Sequence, residues 1–236
     1  MTLARRLVSE ALGTAFLLAV VVGSGMMGEN LAGGNVAIAL LANTLATGAG
    51  LVALILVFAP ISGAHFNPVV TLSSAFKGQF PWRETPAYCG VQILGAFAGV
   101  AAAHLMFDEP LFTASQHVRA GWSQWWSEFV ATFGLLSVIW SCSRYRPDAI
   151  PVAVGLFITA AYWFTASTSF ANPAVTLARA ATDTFAGIRP ADAWGFIAAQ
   201  FLGAACSTLL FGWLLRPATK DNAENEAIEV RPARNA

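Results

Sequence analysis

The sequence predicts an all-α membrane protein with six transmembrane helices and two re-entrant half-helices arranged as an inverted repeat. Three observations lead to this fold class: a very low charge content, six apolar runs of spanning length, and a short motif that occurs twice. Only 11% of the 236 residues are charged and 56% are hydrophobic, whereas about 25% charged residues is typical of soluble domains. Basic and acidic residues number 13 each, so the net charge indicates no nucleic-acid partner.

Six apolar runs are long enough to cross a bilayer, which takes about 20 mainly apolar residues. They cover approximately residues 7–27, 36–59, 87–107, 122–142, 149–167 and 193–215. Arg5 and Arg6 precede the first run, but Glu10 interrupts it, so we interpret this run as a membrane helix and not as a signal peptide. Residues 1–216 are predicted to form one membrane domain, and the polar residues 217–236 a disordered cytoplasmic tail.

Two short segments, which follow the second and fifth runs, share an Asn-Pro motif: Asn67-Pro68-Val69 and Asn172-Pro173-Ala174. Asn is a preferred N-cap, and Pro suits the first helical position because its missing N–H would be unpaired there. Each segment is apolar but about half the length of a span, which predicts a half-helix. Such a helix is tolerated at membrane depth only when it packs against protein or lines a wet cavity.

The first and second halves of the chain also resemble each other. Glu10 and Glu128 lie in similar surroundings in the first and fourth runs, and Gln92 and Gln200 in the third and sixth. These matches and the Asn-Pro motifs occur in the same order, which indicates a duplication with repeats at about 5–107 and 122–216. Three spans per repeat is an odd number, so the second repeat must be inverted.

Basic residues indicate the orientation. Because they favour one side of the proposed spans, the positive-inside rule places both termini in the cytoplasm and predicts a multi-pass protein of the inner (plasma) membrane. The half-helices then enter from opposite sides and their Asn tips meet at mid-membrane. The majority side carries Arg5, Arg6, Lys77, Arg83, Arg144, Arg146, Arg216 and Lys220, against Arg119, Arg179 and Arg189 on the other.

Each Asn tip is expected to present hydrogen-bond donors. If the Asn67 and Asn172 side-chain oxygens cap their own helices, their NH₂ groups point outward, with the positive end of a helix dipole behind them. Two such tips would donate hydrogen bonds to the oxygen of a neutral solute and would repel a cation. His65, two residues before Asn67, is expected to line the cytoplasmic half of the same path.

Glu10 and Glu128 are the only acidic residues inside the proposed spans. An intramembrane carboxylate is costly and is therefore either functional or structurally committed. One role is a proton relay in a transporter, and the other is to accept hydrogen bonds from the re-entrant loop of the same repeat. Their symmetric placement favours the structural role. We see no nucleophile–base pair, phosphate loop or metal cluster, so we expect no enzymatic activity and no cofactor.

These motifs, with residues 62–69 and 172–174 and the two carboxylates in matching places, resemble the aquaporins of the major intrinsic protein family across about residues 5–216. The resemblance implies six tilted helices and two half-helices, a pore through each subunit, and a homotetramer. It also implies that water and small neutral solutes are the partners, within a lipid bilayer.

Two positions depart from the family pattern. Val69 stands where Ala is usual, and Val175 stands where the family usually has the filter arginine. Pore diameter, hydrogen-bond donors and a fixed arginine control selectivity in such pores. The resemblance therefore implies a wider and less cationic selectivity filter, formed by Thr47, Tyr162, Ser169 and Val175.

Arg179 stands four residues after Val175, so both lie on one face of a helix. Helical side chains lean towards the N-terminus, which would bring this guanidinium to the outer mouth of the pore. The alternatives are an ion pair with Asp183 or hydrogen bonds to loop carbonyls. All three roles stay open on the sequence.

The leading hypothesis is a passive channel for water and small uncharged solutes. The alternatives are an ion or proton-coupled transporter that uses Glu10 and Glu128, or a structural membrane protein with a vestigial pore. The stretch 172–190 is similar to aquaporins of bacterial arsenic-resistance operons, which also lack the filter arginine. Neutral arsenite resembles glycerol in size and hydroxyl placement, but the sequence does not rank glycerol, urea, arsenite and peroxide.

Overall fold

A computed structural model describes residues 1–216, and the predicted tail at 217–236 lies outside the described residues. Within this range the chain is helical and contains no strand, as the sequence predicts. The α-helices are α1 Leu3–Leu31, α2 Val36–Ser62, α3 Pro68–Phe76, α4 Thr85–Phe107, α5 Trp122–Tyr145, α6 Ile150–Phe164, α7 Pro173–Arg179 and α8 Pro190–Leu214.

Six of these helices are long, and α3 and α7 are the two short ones. By length and composition, α1, α2, α4 and α8 could each cross a membrane, as could α6 together with the 3₁₀ turn Pro147–Ala149 that precedes it. The remaining long helix, α5, has 24 residues but is less apolar, since it carries Glu128 and several Ser residues. The bounds differ most in α1, which is about four residues longer at each end than predicted. Helices α2 and α5 end three residues later than predicted, α6 ends three residues earlier, and α8 begins three residues earlier.

The two repeats pack in the same way. Helix α1 packs against α2 and α4 in the first repeat, and α5 packs against α6 and α8 in the second. Helices α2 and α6 pack against each other across the boundary between the repeats, and each half-helix contacts both α4 and α8. Large apolar side chains such as Leu45, Leu156 and Leu209 are exposed on the outer surface, as expected where lipid or another subunit covers the protein.

Glycines allow the closest helix contacts. A Cβ at Gly95 or Gly99 of α4 would collide with the backbone of α1 at Ala11 or Ala15. Gly203 of α8 has the same relation to Phe129 of α5. Small residues at four-residue spacing let membrane helices approach closely, so these glycines fix the separation of the paired helices.

Both half-helices begin where the Asn-Pro motif predicts. Asn67 and Asn172 are extended N-caps, and Pro occupies the first helical position in each case. The Asn67 Oδ1 accepts a hydrogen bond from the Val69 N–H at 3.0 Å. The Asn172 Oδ1 accepts from the N–H groups of Ala174 at 3.0 Å and Val175 at 3.3 Å.

Candidate functional site: a pore between the repeats

A cavity of about 360 Å³ runs between the two repeats. Its residues on α2, and those on α6 apart from Pro151, recur every fourth position, which places them on one face of each helix. Twelve residues separate the ends of each stripe, so the cavity extends about 18 Å along the helices. The α2 stripe is Thr47, Leu51, Ile55 and Ala59, and the α6 stripe is Ile150, Val154, Ile158 and Tyr162.

The opposite wall of the cavity is formed by the two loops that lead into the half-helices, residues 63–67 and 169–172. Four non-glycine residues in these loops have positive φ angles: Ala64 at 50°, Phe66 at 48°, Ser169 at 51° and Ala171 at 48°. This conformation is unfavourable for side chains with a Cβ. The loops therefore need partners that hold them in place.

Glu10 and Glu128 are those partners. Glu10 is fully buried and accepts hydrogen bonds from the N–H groups of His65 at 3.0 Å and Phe66 at 2.7 Å. Glu128 is equally buried and accepts from the N–H groups of Phe170 and Ala171, both at 2.8 Å. Neither carboxylate lines the cavity. Each also accepts from one Ser and one Gln of its own repeat: Ser62 and Gln92, or Ser167 and Gln200.

The two Asn tips meet in the middle of the cavity and are tied across the repeats. The Asn67 Nδ2 donates to the Ala171 carbonyl and the Asn172 Nδ2 donates to the Phe66 carbonyl, each at 2.8 Å. Sequence reasoning expected the NH₂ groups to point freely outward. Instead, each gives one hydrogen to the opposite loop, which leaves one hydrogen per Asn for a solute.

The four residues predicted for the filter all line the α7 end of the cavity. The Tyr162 hydroxyl lies 3.3 Å from the Thr47 Oγ1, to which it donates. The Ser169 Oγ is buried and has no hydrogen-bond partner among the described residues. Val175 adds a short apolar side chain to the same lining.

Arg179 also lines the cavity, although it is only 2% exposed. Its Nε donates to the Ala186 carbonyl, and its guanidinium lies 3.4 Å from the centroid of the Phe170 ring. Within residues 1–216 it forms no ion pair with Asp183, whose Oδ1 accepts from the Gln116 N–H. Of the three roles left open by the sequence, the loop-carbonyl bond is present and the ion pair is not, while Arg179 lies in the cavity lining.

His65 lines the α3 end of the cavity. Its Nδ1 lies 3.0 Å from the Thr71 Oγ1, and its ring contacts those of Phe80 and Tyr88 at centroid distances of 5.3 and 5.8 Å. These contacts fix the ring beside the first Asn tip.

Sequence reasoning missed several side chains of the site. Phe170 holds the Arg179 guanidinium. Trp140 lines the α3 end of the cavity, and the Lys77 ammonium lies 4.3 Å from the centroid of its ring. Burial lowers the pKa of Lys77 from its ordinary value. Gln92 and Gln200 were recognised only as markers of the repeat, and their symmetry with the two carboxylates was the available signal. Among residues 1–216, no group of three His, Cys, Asp or Glu residues could hold a metal ion.

Two half-helices that meet tip to tip inside a bundle of six long helices define a membrane channel. A model of the major intrinsic protein family matches residues 1–149. Aquaglyceroporin AqpS of Rhizobium meliloti (strain 1021) is 56% identical over 216 residues, which cover 92% of this chain and 92% of that protein. Aquaporin NIP2-2 of Zea mays is 30% identical over 247 residues, covering 97% of this chain and 79% of that protein.

The chain therefore belongs to the major intrinsic protein family and is a channel, not an enzyme. The X-ray structure of the aquaglyceroporin from Plasmodium falciparum superposes with a TM-score of 0.71 and covers 89% of this chain and 96% of that one. At 22% identity, this likeness concerns the fold.

Proposed function

We propose that the protein is a passive channel for water and small uncharged solutes of glycerol size. The observation that carries this proposal is the two-sided cavity. One wall presents apolar side chains of α2 and α6, such as Leu51 and Val154, and the other presents two loops and the Asn tips. A polyol has a carbon face and a hydroxyl face, and both would find matching surfaces. The similarity to a protein described as an aquaglyceroporin supports this substrate class.

The filter, which lacks the usual arginine, would admit further small uncharged solutes besides glycerol. Val175 occupies the position at which the family usually has arginine, so the ring with Thr47, Tyr162 and Ser169 gains width there. Neutral arsenite, As(OH)₃, presents hydroxyls at spacings similar to those of glycerol. We therefore include arsenite among the proposed solutes, in keeping with the similarity of residues 172–190 to aquaporins of arsenic-resistance operons.

The geometry argues against the proton-coupled alternative. A relay carboxylate must exchange protons with the transport path, but Glu10 and Glu128 are fully buried outside the cavity lining. Each already accepts four hydrogen bonds from protein groups. We propose that both carboxylates hold the re-entrant loops.

We further propose that the protein is a homotetramer in the inner (plasma) membrane with both termini in the cytoplasm. The exposed apolar faces of the long helices support lipid or subunit contacts. The distribution of basic residues supports the orientation. In this orientation α3 enters from the cytoplasm and α7 from outside.

Stopped-flow light scattering on proteoliposomes tests the proposed function. We expect faster water efflux and faster re-swelling with glycerol, urea and arsenite than in protein-free vesicles, unaffected by an imposed proton gradient. Flux that requires the proton gradient would establish the transporter instead. Vesicles that match the protein-free control for every solute would favour a structural protein with a vestigial pore.

A further inference from the structure

We propose that Arg179 is a specificity-determining residue of the α7-end constriction, one helical turn beyond Val175, and that Phe170 positions it. This inference rests on the proposed channel function. Arg179, which lies outside the usual position of the filter arginine, then supplies the charge of the filter, and Val175 determines its width. Arg179 would favour an uncharged solute that is small enough to pass beside the guanidinium and whose hydroxyl oxygens accept its hydrogen bonds.

The repeat symmetry shows that the position of Arg179 faces the pore. Val70 and Ser74 lie three and seven residues after Asn67, and Val175 and Arg179 lie three and seven residues after Asn172. All four side chains line the cavity. A residue seven positions after the Asn tip thus reaches the pore from either half-helix.

Arg179 is also the only Lys, Arg, Asp or Glu among the cavity-lining residues of the described chain. A buried guanidinium is costly unless its donors are paired, and no carboxylate pairs with it within residues 1–216. Its charge therefore acts on whatever occupies the cavity.

Most N–H donors of the Arg179 guanidinium have no protein acceptor among the described residues. Arginine carries five N–H donors, and in Arg179 only the Nε donates to a protein atom, the Ala186 carbonyl, among the described residues. The terminal nitrogens are not among the buried unpartnered atoms, so they are open to the cavity. A molecule with hydroxyl oxygens in the cavity would accept hydrogen bonds from these terminal nitrogens.

Phe170 holds the guanidinium in this place. Its ring centroid lies 3.4 Å from the Arg179 guanidinium carbon and 5.3 Å from that of Arg119. The ring itself packs edge-on against Phe196 at a centroid distance of 5.0 Å. Arg119 in turn donates from its Nε to the Gly187 carbonyl at 2.8 Å, in the loop that follows α7. A ring fixed between these partners restricts where the Arg179 side chain can point.

The direct test is Arg179→Ala in proteoliposomes, with two readouts: the flux of a five-carbon polyol relative to glycerol, and proton leak reported by a pH-sensitive dye. We expect the polyol ratio to rise about tenfold because the bulk of the guanidinium is lost from the constriction, and the proton leak to rise because its positive charge is lost. Arg179→Lys should keep protons out but still raise the polyol ratio. Arg83→Ala, which removes an exposed arginine outside the cavity lining, should change neither readout.

Phe170 is tested by a double-mutant cycle. Phe170→Leu removes the ring and should raise the polyol ratio in the same direction as Arg179→Ala, whereas Phe170→Tyr keeps the ring and should preserve the parent ratio. In the Arg179→Ala background, Phe170→Leu should have no further effect, because a positioning residue acts only through its partner. Additive effects would show that Phe170 acts independently and would overturn its positioning role.

The outcomes separate this inference from the proposed function. A parent protein that conducts no neutral solute would defeat the channel proposal itself. A parent that conducts glycerol, with an Arg179→Ala variant of unchanged polyol ratio and proton leak, would defeat only the role of Arg179. If Arg179→Ala does not fold, Arg179→Lys and Phe170→Leu decide the question by the same two readouts.

Discussion

In the proposed filter, Val175 sets the width and Arg179 supplies the charge, two properties that a single arginine would otherwise combine. Val175 is short and apolar, and the cation stands one turn further along α7, beside Phe170. The two residues can therefore be varied separately. The sequence predicted Val175 from the motif itself, but it left Arg179 open because its contacts with Phe170 and Ala186 depend on how the loops fold.

Val175→Arg should narrow the constriction and add a second guanidinium to it. We expect glycerol and arsenite flux to fall about tenfold or more while water flux stays largely intact, because pore diameter and charge control selectivity. Stopped-flow light scattering measures each solute. Val175→Leu, which adds bulk without charge, serves as the control and should have a smaller effect. Should Val175→Arg pass glycerol as fast as the parent, Val175 does not line the constriction.

Glu128→Gln should destabilise the protein before it alters selectivity. The glutamine amide group would face the N–H of Ala171 or the Nε2 of Gln200, both of which now donate to the same oxygen. Hydrogen bonds to a charged group contribute about 1.5–3 kcal/mol each, so we expect a clearly lower thermal midpoint in detergent. Glu29→Gln, at the exposed end of α1, is the matched control. A stable Glu128→Gln channel that loses only a proton-driven flux would contradict the structural role.

At the scale of elements, the half-helices are the part of the fold that the sequence predicts best. The starts of α3 and α7 are signalled locally, since an N-cap Asn and the following Pro act within one turn. The contacts of their tips are not local. Asn67 and Asn172 each bond to a loop of the other repeat, more than 100 positions away in the chain, and no local pattern encodes that pairing.

Asn172→Asp should admit cations. Asn172→Asp loses the hydrogen bond from Nδ2 to the Phe66 carbonyl. The aspartate oxygen can still cap α7, and a negative charge at a helix N-terminus is stabilising, which offsets part of this loss. The charge at the meeting point of the tips would replace a donor that now faces solutes. Potassium and proton flux into proteoliposomes measures the change. Asn35→Asp, the same substitution at the exposed N-cap of α2, should remain impermeable to both ions. Cation exclusion by a folded Asn172→Asp variant would count against the tip model.

Gly95→Leu should separate α4 from α1. The side chain would collide with the Ala11 backbone, and overpacking of this kind costs about 1–3 kcal/mol or more. Gly90→Leu is the matched control, because it lies on the same helix with open space around its Cβ position. Thermal unfolding in detergent should show a lower midpoint for Gly95→Leu alone. Equal midpoints for the two variants would show that α1 and α4 are not in close contact at Gly95.

At the scale of the whole molecule, duplication makes the architecture predictable. The order of spans, half-helices, carboxylates and glutamines repeats along the chain, and this repetition is enough to predict the six-plus-two arrangement. Hydropathy alone would have been weaker, since α5 is long but falls short of the other spans in apolar character. The partners of Glu10 and Glu128 lie 39 to 82 positions away along the chain, so they could be proposed from symmetry but not identified from the local sequence.

The resemblance to aquaporins leads us to expect a homotetramer, and the exposed apolar helix faces are available for subunit contacts as well as for lipid. Native mass spectrometry of the detergent-solubilised protein should give about four times the 24.9 kDa of one chain, apart from bound lipid. Each subunit contains a complete cavity, so the flux per subunit should not depend on assembly. A stable, conducting monomer would contradict the tetramer proposal and leave the channel proposal standing.

The paired hydrogen bonds between the Asn tips and the opposite loops have a consequence for the energetics of transport. Because each repeat is hydrogen-bonded to the other at the centre of the pore, a rocking motion that exposes a binding site to one side at a time would have to break both bonds. Without such a cycle the protein cannot concentrate a solute or set its direction of movement. Metabolism must set the direction: a reaction that consumes the solute inside the cell makes the protein an importer, and one that produces it makes the same protein an exporter.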